Sequence, residues 1–176
     1  METNYTYSNI SNIDISFYIN ENSHSLDIYN DNLSIDTYNN KYLKEKFPKN
    51  IIFRINSLNY NIEKNSKEVY TKYDCIYNDK NNSLYLIFNS NNNYEKFTKD
   101  KLINILEFSI SIEIDMLYLL VDKKNKHYLN IMQDMLLVGF QPEEKLSTIT
   151  IDGNVYKSLK MSVKDISKEI QEIKLV

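Results

Sequence analysis

The sequence predicts one main domain, an α/β (α+β) sandwich whose mixed β-sheet is flanked by two main helices. Three observations predict it. Short runs rich in Ile, Leu, Tyr and Phe recur between Asn- and Asp-rich turns, the pattern of strands. Two longer stretches carry apolar residues at helical spacing. Between them lies a continuous apolar run, Met116-Leu117-Tyr118-Leu119-Leu120-Val121, which suits a central strand covered on both faces. The resulting order, strands then helix, strand, helix and strands, is that of a mixed sheet.

Residues 1–45 are polar and read as a flexible arm, with Ile13, Ile15, Phe17 and Ile19 alternating as a short strand would. Residues 46–176 form the domain. Strand-like runs follow at 51–55, 73–77 and 83–88. Leu102, Ile105, Leu106, Ser109 and Ile112 then mark a helix over 98–112, with Thr98 as N-cap. The apolar strand 116–121 leaves through Asp122-Lys123-Lys124-Asn125. A second helix over 126–138 shows Tyr128, Leu129, Met132, Met135 and Leu136 as its apolar face and Asn125 as its cap. Gly139 falls where a helix end needs positive φ, and Pro142 stops further helix. Strands at 148–151 and 155–161 enclose an Asp152-Gly153-Asn154 turn. Ile166, Ile170 and Ile173 give the last dozen residues the spacing of a short amphipathic helix.

Composition narrows the function classes. The net charge of −3 and pI near 5.5 argue against a nucleic-acid binder, which needs a basic patch. No apolar run reaches the roughly 18–20 residues of a membrane span, and the N-terminus lacks the features of a secretory signal. The single cysteine, Cys75, excludes an internal disulfide framework and reads as a small buried residue. Two histidines, His24 and His127, cannot build a Cys/His metal site; His127 opens the second helix and is expected to face solvent.

A set of residues in constant order carries a resemblance. Thr98-Lys99-Asp100 enters the first helix, and Ile105-Leu106-Glu107-Phe108 forms its centre. Asp115 precedes the central strand, Lys123 leaves it, Val138-Gly139-Phe140 ends the second helix, and a strand runs from Tyr156 to Met161. Over residues 83–163 the chain thereby resembles the ornithine decarboxylase antizyme family. The resemblance implies an acyl-CoA N-acyltransferase-like fold that performs no acyl transfer: no enzyme, no cofactor, no metal. It implies one-to-one binding of the ornithine decarboxylase subunit, which blocks homodimerisation, and delivery to the proteasome without ubiquitin. Control of polyamine levels and uptake, expression by ribosomal frameshifting, and a cytoplasmic and also nuclear location belong to the same implication. The implied partner-binding residues are Lys99, Glu107 and Lys123. Glu113 joins them, because Ile110 and Ser111 stand where animal antizymes carry an acidic pair.

Two other readings remain open at this stage. One is an interaction domain of the same fold with a different partner. The other is a true N-acyltransferase, which would need a glycine-containing loop at a helix N-terminus to hold the cofactor pyrophosphate. The loop at 89–98 contains no glycine. For the four charged residues, a solvated surface is the ordinary role, each worth under ~0.5 kcal/mol to folding.

Overall fold

The computed structural model describes residues 26–27, 33–37, 40–59, 69–91, 99–143 and 148–174. The strand expected at 13–19, His24 and the cap expected at Thr98 lie outside them.

Among the described residues the chain forms one nine-stranded mixed sheet. Its elements are β1 (Leu26–Asp27), β2 (Leu33–Thr37), α1 (Lys41–Lys46), β3 (Ile51–Asn59), β4 (Val69–Asn78) and β5 (Ser83–Phe88). They continue as α2 (Lys99–Ser111), β6 (Met116–Asp122), α3 (Tyr128–Val138), β7 (Gln141–Pro142), β8 (Thr148–Ile151), β9 (Asn154–Ser162) and α4 (Val163–Lys174). Strand order is β1-β2-β3-β4-β5-β6-β9-β7, with β8 also pairing β9. Every pairing is antiparallel except β5 with β6, which run parallel from Ser83↔Met116 to Phe88↔Val121. A parallel pair needs a long crossover, and α2 supplies it.

Alternation along the strands sorts side chains onto two faces. Phe53, Ile55, Tyr73, Cys75, Tyr77, Leu84, Leu86, Phe88, Leu117, Leu119, Val121 and Leu159 build the larger core. Leu102, Ile105, Phe108 and Ile112 of α2, Ile131 and Met135 of α3, and Val163 of α4 close over it. Phe108 meets Phe53 edge-on at 6.4 Å between ring centroids, which docks α2 on β3. The opposite face holds a smaller cluster of Ile52, Ile76, Ile87, Leu120, Ile151 and Tyr156, covered by Leu43 of α1.

The strands and helices predicted within the described residues are present, with ends shifted by a few residues. The stretch read as a polar arm also contains β1, β2 and most of α1. Asn40 caps α1 through its side-chain oxygen, 3.1 Å from the Leu43 amide, and Leu43 is buried. A six-residue helix with one anchoring leucine leaves no periodic signal in sequence.

Gly139 ends α3 as expected, at φ 116°, its N–H donating to Leu136, while the Phe140 N–H donates to Met135. Three expectations about α3 and its start are corrected. Its buried face is Ile131 and Met135, with Tyr128 and Met132 packed beside them, while Leu129 and Leu136 are exposed. Its cap residue is His127, without a side-chain capping bond; Asn125 instead accepts from the His127 N–H in the preceding turn at 2.9 Å. His127 itself is half-buried rather than solvent-facing. The second glycine serves a two-residue hairpin: Asp152 and Gly153 both have positive φ, as a type I′ turn requires.

Candidate functional site

A cavity of about 180 Å³ opens on the smaller-core face, at the carboxyl end of the parallel pair. Each wall has a separate origin. Ile87 is the penultimate residue of β5, and Asn89, Ser90 and Asn91 form the turn that leaves it. Asp74 comes from β4, cross-strand from Ile87. Tyr156 comes from β9, cross-strand from Asp122 at the end of β6. The β8–β9 turn adds Asp152 and Asn154, and α1 with its cap adds Asn40, Tyr42 and Leu43. Open α/β sheets commonly bind ligands beyond the carboxyl ends of their strands, where loops diverge.

The cavity's charge is one-sided. Asp74 and Asp152 line it, and no lysine or arginine does so among the described residues. Burial pushes the Asp74 carboxyl above its ordinary range, while Arg54 opposes this through its charge and a hydrogen bond from Nε at 3.2 Å, and the Asn40 side chain adds a smaller lowering. Burial first, then the charges of Asp122, Asp74 and Asp152, push the Tyr156 phenol up to about 12. Tyr156 therefore keeps its proton throughout the neutral range. Asp122 is fully buried; Oδ1 accepts from the Lys124 N–H at 2.9 Å, and Oδ2 has no hydrogen-bond partner among the described residues.

The exits of β5 and β6 are tied together. Asn125, nearly fully buried, donates from Nδ2 to the Asn89 carbonyl at 2.8 Å, across 36 residues of sequence. Asn89 Oδ1 in turn accepts from the Asn91 N–H at 2.9 Å. These bonds fix the wall that residues 89–91 give the cavity. Chemically the site offers carboxylates, side-chain amides and a protonated phenol over an apolar floor, a set suited to a small cation.

The four residues expected to bind a partner lie elsewhere. Lys99 opens α2. Glu107, eight residues on and about 12 Å along the axis, is exposed. Glu113 is exposed at φ 52° in the turn between α2 and β6, where its carbonyl accepts from Asn82 Nδ2 at 2.8 Å. Lys123 is exposed just after β6. Glu113 and Lys123 thus flank opposite ends of a seven-residue strand, about 20 Å apart. The fold brings none of Glu107, Glu113 and Lys123 to the cavity, and the Lys99 side chain lies outside those described. Sequence reasoning missed Asp74, Tyr156 and Asn40, which carry no motif, and read Asp152 only as turn punctuation. Cys75 is buried as expected; burial, then the charge of Asp74, pushes its thiol well above the usual range, so it is inert. Among the described residues no group of acidic, Cys or His side chains could hold a metal ion, and no helix is long and apolar enough to cross a membrane.

No family model and no curated protein matches the chain. Solved structures that resemble it include acetyltransferases. Two mutant forms of the spermidine/spermine N-acetyltransferase SpeG from Vibrio cholerae share 18% identity over 72% of this chain and 74% of theirs, with a TM-score of 0.46. The same enzyme in complex with manganese ions shares 14% identity over 78% and 96%, at 0.42. A probable acetyltransferase of the GNAT family from Chromobacterium violaceum shares 9% over 78% and 91%, at 0.39. At these values the likeness concerns the fold alone, in keeping with the expected acyl-CoA N-acyltransferase-like architecture. The antizyme resemblance is corrected by the same comparisons: no family model or curated protein supports it, and the structural neighbours are N-acetyltransferases. The roles drawn from it, decarboxylase inhibition and frameshifted expression, fall with it. The expectation of a protein without catalysis finds no support in these comparisons either: the three similar structures are of acetyltransferases.

Proposed function

We propose that the chain is an N-acyltransferase whose amine substrate occupies the carboxylate-lined cavity. The observation that carries this reading is the cavity's charge: Asp152, and Asp74 with Arg54 paired to it from outside the lining at 3.2 Å, stand over an apolar floor with no lining cation among the described residues. A primary amine is a cation at neutral pH, and carboxylates at hydrogen-bond distance hold it with charge-assisted bonds. Tyr156, protonated in this range, can donate a hydrogen bond, and the apolar floor of Leu43, Ile87 and Ile151 accepts a short alkyl chain.

The cavity does not fit the phosphates of an acyl-CoA. Asp74 and Asp152 would repel them, and the tie from Asn125 to Asn89 closes the exits of the fully paired strands β5 and β6. The residues at hand serve the amine alone: they bind it, orient it along the floor and exclude water around it.

The test separates binding from turnover. Calorimetry with a series of primary alkylamines is expected to give saturable binding that Asp152→Asn weakens about tenfold, one lost charge-assisted bond. Asparagine keeps the positive φ of this turn position, so circular dichroism should be unchanged. Incubation with the best amine and a radiolabelled acyl thioester that carries no phosphate is expected to yield labelled amide. Amine binding without labelled product would refute acyl transfer; absence of amine binding would refute the site.

A further inference from the structure

Six large apolar side chains stand exposed among the described residues, and four of them belong to α3: Leu129 at 77%, Leu136 at 46%, Leu137 at 79% and Val138 at 50%. Helical spacing of about 100° per residue places Leu129, Gln133, Leu136 and Leu137 together, turned away from the buried Ile131 and Met135. Asp134 is the one charged residue in the helix. The stripe has a centre. Gln133 is the middle residue of the 11, with Leu129 four positions before it and Leu137 four after.

We propose that this face pairs with itself: α3 packs antiparallel against α3 of a second copy of the chain, across a two-fold axis at Gln133. A two-fold contact requires a surface that is its own complement. Here Leu129 meets the second copy's Leu137, and Leu137 meets Leu129. Gln133 meets its own counterpart, and a carboxamide is both donor and acceptor, so the two side chains satisfy each other. No like charges oppose each other along the seam. A charged partner, by contrast, would find no counter-charge on this face. The helix is about 16 Å long, so the patch is small against the roughly 800 Å² per partner of a standard interface, and the dimer is weak.

Sedimentation equilibrium on the full chain is the test, from about 1 to 200 µM. The expected result is a mass that rises from monomer toward dimer across that range. Leu137→Glu should remain monomeric throughout, because two carboxylates enter an apolar seam; its exposed position should leave the circular dichroism melt unchanged. Gln133→Cys should form an interchain disulfide on mild oxidation, since the axis brings the two thiols together, while the buried Cys75 stays unreactive. Leu129→Cys alone should not cross-link, but Leu129→Cys mixed with Leu137→Cys should. A wild-type chain monomeric at every concentration overturns the proposal. So does a dimer that persists in Leu137→Glu, or a cross-link from Leu129→Cys alone equal to that from Gln133→Cys.

Discussion

Gly139→Ala isolates the backbone contribution of one residue. Gly139 sits at φ 116°, past the left-handed basin that Asn or Asp can share. An added Cβ would meet only Met161 Cε at 3.8 Å, an ordinary contact, so sterics with neighbours contribute nothing. Strain of this kind costs ~1–3 kcal/mol. Alanine restricts the unfolded chain and returns ~0.4–1 kcal/mol. The central values leave a net loss of about 1.3 kcal/mol. With a urea slope of roughly 2 kcal/mol/M for a chain of this size, the midpoint should fall by about 0.5–1 M with the slope unchanged. Urea unfolding followed by circular dichroism measures it. Gly153 supplies the internal control: at φ 72° with open space around it, Gly153→Asn should shift the midpoint by under ~0.3 M. Gly139→Asn should behave like alanine. A Gly139→Ala midpoint equal to wild type would refute the argument that this glycine ends α3 by its φ.

Three further outcomes follow from the structure. Stability should fall at alkaline pH: the Tyr156 phenol is raised from 10.0 to about 12 in the folded chain, so its contribution is complete below pH 10 and is lost as pH rises through about 12. Urea midpoints at pH 9 and 11 should differ less in Tyr156→Phe than in wild type. Asn125→Ala removes the tie to the Asn89 carbonyl and the acceptor for the His127 N–H; a loss of ~1–3 kcal/mol is expected in chemical denaturation, and amide exchange at residues 89–91 should quicken. A chain beginning at Asn50 loses β2 from the edge of β3 and Leu43 from above Ile52, Ile76 and Ile87. It should be less stable by ~2 kcal/mol or more, and thermal melting that matched full length would show that α1 adds nothing to the fold.

The sequence by itself determined most of the scaffold. The strands at 51–55, 73–77 and 83–88 stand as apolar and aromatic runs between Asn- and Asp-rich turns, and the run from Met116 to Val121 marks the covered strand because a doubly buried strand tolerates six successive apolar residues. Gly139 and the Asp152-Gly153 turn were legible because positive φ leaves a residue-type signature. The tertiary structure decided the rest. The sequence of α3 carries two apolar stripes, one through Leu129 and Leu136 and one through Ile131 and Met135, and helical periodicity cannot rank them. The connections from β6 and into β7 fix the rotation, and Phe140, buried at the helix end, commits Ile131 and Met135 to the core. The cavity was equally hidden. Asp74 comes from β4 and Asp152 and Tyr156 from the β8–β9 hairpin, each acceptable at any surface, and only strand order and register bring the two stretches to one rim. The antizyme resemblance failed for a related reason: residues scattered at constant spacing along two helices and a strand report a shared scaffold, whereas chemistry resides in side chains that the fold brings together from distant positions.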